Sequence, residues 1–111
     1  MEYSIERRDE LVVIHVQGRV DEASWEAFGT GLSEAIGQAR GAGLERVIID
    51  LGGLEYMSSR GLRALTVAKR EGEAAGVTLS LAAPNEVMRE ILAISRYDKL
   101  FAVTDAIESG R

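Results

Sequence analysis

Apolar and polar positions alternate from the first residues. Tyr3, Ile5 and Arg7 alternate with polar neighbours, the period-two pattern of an edge strand. Asp9-Glu10 makes a tight turn into Leu11-Val12-Val13-Ile14-His15-Val16, a stronger second strand, and so short a junction predicts an antiparallel hairpin. Gly18-Arg19-Val20-Asp21 then leaves the strand, with Asp21 as N-cap of a helix whose Phe28, Leu32, Ala35, Ile36 and Ala39 share one face. Gly41 and Gly43 end that helix, and Arg46 to Leu51 form a third strand. A loop through Gly52-Gly53 leads to a second long helix carrying Leu62, Leu65, Ala68 and Gly72 on one face, closed by Gly76. Val77, Leu79 and Leu81 alternate as a fourth strand; Val87, Met88, Ile91 and Leu92 mark a third helix after Pro84-Asn85. Leu100-Phe101-Ala102-Val103 is expected as a short last strand, and residues 104–108 as a helical turn capped by Thr104 or Asp105, before a fraying Ser109-Gly110-Arg111. Strands alternating with helices imply an α/β fold whose sheet is parallel after its opening hairpin.

The densest chemistry lies between Val47 and Leu65. A buried strand carrying one acid, Asp50, is followed by paired hydroxyls, Ser58 and Ser59, where a helix begins. A helix start offers free backbone N–H groups and the positive end of the dipole, so a phosphate added there is stabilised. The bland alternative is that one serine only caps the helix, and the two readings are compatible because the other stays free. Gly61, in the first turn, costs roughly 0.5–1 kcal/mol relative to alanine, which makes sense where another element or a partner approaches the backbone closely.

Asp50 sits where α/β ligand sites gather, yet a phosphoryl-accepting aspartate needs metal-holding acids after an earlier strand, and Gln17-Gly18-Arg19 stands there. It reads better as a carboxylate that accepts backbone N–H bonds near Gly52-Gly53. His15 is the only histidine, without a Cys or His companion, and reads as structural. Trp25 either packs under the sheet edge or anchors a partner. A serine hydrolase would need a base for Ser59 and a G-x-S-x-G elbow, and neither is present; Walker and G-x-G-x-x-G motifs are also missing. No catalytic residue, metal site or cofactor is therefore expected.

Composition narrows the partners. The net charge of −5, with no basic run longer than Arg7-Arg8 or Lys69-Arg70, argues against nucleic acid. The absence of cysteine excludes disulfides and thiolate metal sites. Neither an apolar signal core in MEYSIERRDE nor a run near the roughly 18 apolar residues of a membrane span is present, so a cytoplasmic protein without membrane insertion is expected. The 111 residues match one domain, 1–111, with no linker.

Gly18-Arg19-Val20-Asp21, Val47-Ile48-Ile49-Asp50-Leu51 and Tyr56-Met57-Ser58-Ser59-Arg60-Gly61-Leu62 resemble, in order, the G-x-(apolar)-D step, the V-x-x-D-L strand and the (aromatic)-(Ile/Met)-D-S-(small)-G-L signature of the STAS domain, in particular of the small bacterial anti-sigma factor antagonists. Gly76-Val77-Thr78-Leu79 and Tyr97-Asp98-Lys99-Leu100-Phe101 resemble that family's later strand and terminal segment. The resemblance covers nearly the whole chain. It implies a STAS-like α/β fold: a mixed four- to five-stranded sheet, covered by about four helices. It also implies a partner-switching module, not an enzyme. Unmodified, such a module binds an anti-sigma factor that is a serine kinase of the histidine-kinase-like ATPase type; phosphorylated, it lets go; a metal-dependent serine phosphatase resets it. Carried onto this chain, Ser59 is the modified serine, with Ser58 as the alternative. Asp21, Met57, Ser58, Ser59, Arg60, Gly61 and Leu62 form the partner-binding surface, and Asp50 and Tyr56 support the loop. Ser58 replaces a common aspartate, and Arg60 replaces a small residue, where a long cation either pairs with a phosphate or crowds a kinase. The rival reading is a STAS subunit without phosphorylation, in a transporter or lipid-trafficking complex or as a small-ligand or nucleotide sensor.

Overall fold

Pairing of the alternating segments produces a five-stranded sheet in a computed structural model that describes residues 1–107. The elements are β1 (Glu2–Arg7), β2 (Val12–Val20), α1 (Trp25–Gly41), β3 (Arg46–Met57), α2 (Ser59–Ala75), β4 (Thr78–Ala82), α3 (Glu86–Ile94), α4 (Tyr97–Leu100) and β5 (Val103–Thr104). Strands lie in chain order, β1 antiparallel to β2 and every later pair parallel. Parallel crossovers are right-handed, and a sheet that always grows in one direction then receives its helices on one face.

That face carries the main core. Val12, Ile14 and Val16 of β2, Val47, Ile49 and Leu51 of β3, and Leu79 and Leu81 of β4 meet Phe28, Leu32 and Ile36 of α1, Leu65 and Ala68 of α2, and Met88 and Leu92 of α3. The opposite face holds a smaller cluster, Leu11, Val13, Ile48 and Ala82, with Ile107 packed against it. Helix ends follow local chemistry: Gly76 closes α2 in the left-handed region (φ 74°), and the Asn85 side chain caps α3 by accepting the Met88 amide at 2.8 Å.

Expectations are corrected at both ends of the sheet's parallel part. Residues 52–57 form no loop; β3 runs on to Met57, and β2 runs on to Val20 instead of leaving the sheet at Gly18. Register shifts between His15 and Gln17 and between Gly18 and Arg19 each leave one extra residue on β3, so pairing resumes at Gln17↔Gly53 and again at Arg19↔Tyr56 and Val20↔Met57. These bulges return Leu54 and Met57 to the core, which a plain loop would not do. At the other end, residues 97–100 are a helical turn, so the last strand is only Val103–Thr104. The Tyr97 hydroxyl bonds Thr66 Oγ1 of α2 at 2.7 Å and its ring stacks on buried Phe101, which holds the turn against α2. Thr104 is thereby drawn into β5, so it starts no helix; the rest of that expected turn ends in bends at Asp105 and Ala106, and Glu108 together with the terminal Ser109-Gly110-Arg111 lies outside the described residues.

On the helix-free face, His15 ties three strands together. Its Nδ1 is 2.7 Å from Asp50 Oδ2 and its Nε2 is 2.8 Å from Glu6 Oε1, while Arg8 Nε pairs with the same Glu6 at 3.2 Å. Partial burial lowers the imidazole pKa, but the hydrogen bonds to Glu6 and Asp50 and their charges outweigh it and raise the pKa above its ordinary value. Hydrogen bonds from His15 and Arg8 pull the Glu6 pKa down. With the folded His15 pKa above the unfolded one, its stabilisation is complete below the unfolded value near pH 6.5 and disappears as pH rises through the folded value. Urea denaturation across that window should show stability falling by about 0.5–1 kcal/mol in the parent protein. His15→Gln should flatten the fall, and an unchanged profile in that variant would contradict the assignment.

Candidate functional site

The extended β2–β3 pair ends with Val20 beside Met57, and the Ser58 amide donates to the Val20 carbonyl at 2.8 Å. This bond places the turn after β2 next to the start of α2. Asp21 does not cap α1, which begins only at Trp25. Its Oδ1 instead accepts the Ala23 amide at 3.1 Å, and its own amide donates to Ser24 Oγ at 2.9 Å. The Ser24 hydroxyl lies 3.0 Å from Asp21 Oδ1 and 2.9 Å from the Arg19 carbonyl, and donates its one proton to either. A side chain that bonds its own turn so closely favours the turn over the first helical residue, so the helix starts later. The Ser24 hydrogen bond, then the Ala23 amide and the Arg19 charge, hold the Asp21 pKa below the usual carboxylate range.

Ser58 is the N-cap of α2, its Oγ accepting the Gly61 amide at a long 3.4 Å. Ser59 is the first helical residue and is exposed, and no hydrogen bond engages its hydroxyl among the described residues. Arg60 is exposed too, with its Nε 3.3 Å from Glu22 Oε2 and its guanidinium 5.5 Å from the centre of the half-buried Trp25 ring. Trp25 is thus neither wholly packed away nor a free anchor. Leu62 is half-buried.

Met57 and Gly61 lie beneath this surface, not on it. A Cβ on Gly61 would stand 2.5 Å from Met57 Cγ and 2.7 Å from Val20 Cγ1, so the close approach that its sequence position implies is made by the protein's own β2 and β3. Asp50 is remote from the hydroxyls, on the helix-free face, where its Oδ1 accepts the Gly52 amide at 2.9 Å and closes the first bulge. Tyr56 lies under the Arg19 guanidinium, 4.7 Å from its ring centre.

Beyond Arg60, a groove of about 820 Å³ opens between α1 and α2, with Trp25, Gly29, Ala64 and Val67 as apolar lining and Arg60 and Arg63 on the α2 side. Val67 is 56% exposed there. Sequence reading missed this groove, the Glu22 partner of Arg60, and Arg63. Arg63 was legible as the residue four after Ser59; the Glu22 contact joins two elements and has no local signal. No cluster of metal-ligating side chains occurs among the described residues.

The STAS domain model matches residues 2–110. The chain belongs to the STAS domain family. BtrV of Bordetella bronchiseptica, which carries the name of an anti-sigma factor antagonist, is 32% identical over 111 residues, covering 99% of this chain and 91% of BtrV. The anti-sigma factor antagonist SpoIIAA, solved in its unphosphorylated form, superposes with a TM-score of 0.73 at 25% identity, covering 92% of this chain and 87% of its own. The Bacillus SpoIIAA structure in its phosphorylated form gives 0.65 at 25% identity, over 92% and 90%. A sulfate transporter family protein of Wolinella succinogenes shares the fold, with a TM-score of 0.69 at 14% identity over 88% and 79%. This STAS protein therefore has anti-sigma factor antagonists among its relatives.

Ser58→Ala should destabilise the domain by about 0.5–1 kcal/mol, the lower part of the range for a lost N-cap because the bond is long. Gly61→Ala should cost about 1–3 kcal/mol through overpacking. Ser59→Ala should stay within about 0.5 kcal/mol of the parent. Chemical denaturation of the three variants measures this order, and a Ser59→Ala loss as large as that of Ser58→Ala would make Ser59 a structural residue.

Proposed function

We propose that this protein is a cytoplasmic anti-sigma factor antagonist, a single STAS domain over residues 1–111 that works by switchable binding and not by catalysis, with Ser59 as the modified group. The observation that carries the reading is the exposed, unbonded Ser59 hydroxyl at the start of α2, adjoining the Asp21 turn. In the unmodified state Asp21, Ser58, Ser59, Arg60 and Leu62 meet an anti-sigma factor, with Met57 and Gly61 shaping the surface from below and Asp50 and Tyr56 holding β3.

The partner is a serine kinase of the histidine-kinase-like ATPase type. Ser59 Oγ forms a bond to the γ-phosphorus of its nucleoside triphosphate, the nucleoside diphosphate leaves, and the hydroxyl proton passes to a base of the kinase. Water attack in a metal-dependent serine phosphatase later restores the hydroxyl and releases inorganic phosphate. The phosphate adds about −1.5 to −2 charges. The first turn of α2 tolerates that charge, whereas a dry interface over Leu62 would have to desolvate it. Binding is lost while the fold persists. The solved phosphorylated and unphosphorylated forms of SpoIIAA support the reading by likeness.

A second reading, an unphosphorylated subunit of a transporter or lipid-trafficking complex or a ligand sensor, is favoured by Arg60, whose bulk stands beside Ser59. Incubation with the cognate kinase and ATP, followed by mass spectrometry, separates the two. Phosphate on Ser59 with at least tenfold weaker kinase binding is expected; an unreactive Ser59 beside stable binding to an ATPase–permease complex supports the rival. Ser59→Asp should fold normally and lose the kinase, and Ser59→Ala should bind it constitutively.

A further inference from the structure

Building on the reading of Ser59 as the modified group, we infer that Arg63 is the intramolecular receiver of the Ser59 phosphate, and that Arg60 is drawn from Glu22 to the same phosphate. Helical geometry begins at Ser59, so Arg63, four residues on, lies over the same strip of α2. An anion N-terminal to a cation at this spacing is the favourable order, because it also agrees with the helix dipole. Arg63 is exposed and has no hydrogen bond or ion pair among the described residues, so no existing contact must be broken. Its planar fork matches two phosphate oxygens at once, which a lysine ammonium cannot do.

Arg60 is the complementary case. Its pair with Glu22 is 3.3 Å long, with side chains 57% and 73% exposed, and so holds it weakly. A nearby dianion competes well against that single exposed carboxylate. Both arginines line the groove between α1 and α2, and Arg60 also covers Trp25 there. Their capture by phosphate neutralises the basic side of the groove and uncovers Trp25. Modification of Ser59 is thereby transmitted about one helical turn from the serine, into a surface the phosphate itself does not occupy.

The test needs no kinase. Phosphoserine is installed at position 59 of the full chain during synthesis, and its second ionisation is followed by phosphorus NMR from about pH 4.5 to 8. In the otherwise unaltered chain the midpoint should lie lower than in Arg63→Gln by about 0.4 on the pH scale, the size of an exposed i,i+4 pair. Arg60→Gln should raise the midpoint too, but by less than Arg63→Gln does; Arg63→Lys should keep only part of the parent's lowering, and salt near 0.5 M should narrow these differences. Equal melting temperatures of the unmodified proteins exclude unfolding as the cause. A phosphate that titrates alike with and without Arg63 overturns the assignment and leaves the switch itself intact. Failure of the kinase to label Ser59 would sink the switch, and the titration would still read the receiver.

Discussion

Continuation of the β2–β3 pairing past two bulges is the constraint from which the site follows. Without it β2 would end near Val16 and the chain would leave the sheet well short of Val20. With it, Val20 lies beside Met57 and its carbonyl takes the Ser58 amide. One backbone bond then fixes both the turn that Asp21 organises and the first residue of α2. Met57 and Val20 fill the space under Gly61, so the opening turn of α2 sits directly on the strand ends. The Ser59 hydroxyl, exposed on the first residue of α2, is thus carried on a turn packed against both strand ends.

The two carboxylates of the signature region do different work because they lie on different faces. Asp21 is at the edge, bonded within its own turn and adjoining the serines. Asp50 closes a bulge and binds His15 on the helix-free face, so its contribution to the serine site passes through the path of β3. The consecutive strand order has a similar consequence on a larger scale. Helices crowd one face, the smaller cluster of Leu11, Val13, Ile48 and Ala82 occupies the other, and polar groups of β1, β2 and β3 can pair beside it.

Charge around Ser59 is arranged across elements. The Arg60–Glu22 contact joins the start of α2 to the turn before α1, and Trp25 lies under the same guanidinium. The cation next to the serine is thus held only by an exposed carboxylate and one ring face. Relatives named as anti-sigma factor antagonists give the family context.

Local pattern determined the hairpin, the parallel strands that follow, the three main helices, the Gly76 stop and the position of Ser58 and Ser59 at a helix start, because periodicity and capping are decided within a few residues. The role of Asp50 toward the Gly52 amide was legible for the same reason. Tertiary structure alone decided that residues 52–57 are strand, that Gly61 and Met57 are buried, that Tyr97 to Leu100 coil against α2, and that His15 finds Glu6 and Asp50. Each of these depends on a neighbour distant in the chain. A bulge satisfies its backbone through the adjacent strand, and an ion pair between elements has no periodicity to reveal it. The hydroxyl was therefore written in the sequence, and the surface around it was written only by the packing of β2, β3, α1 and α2.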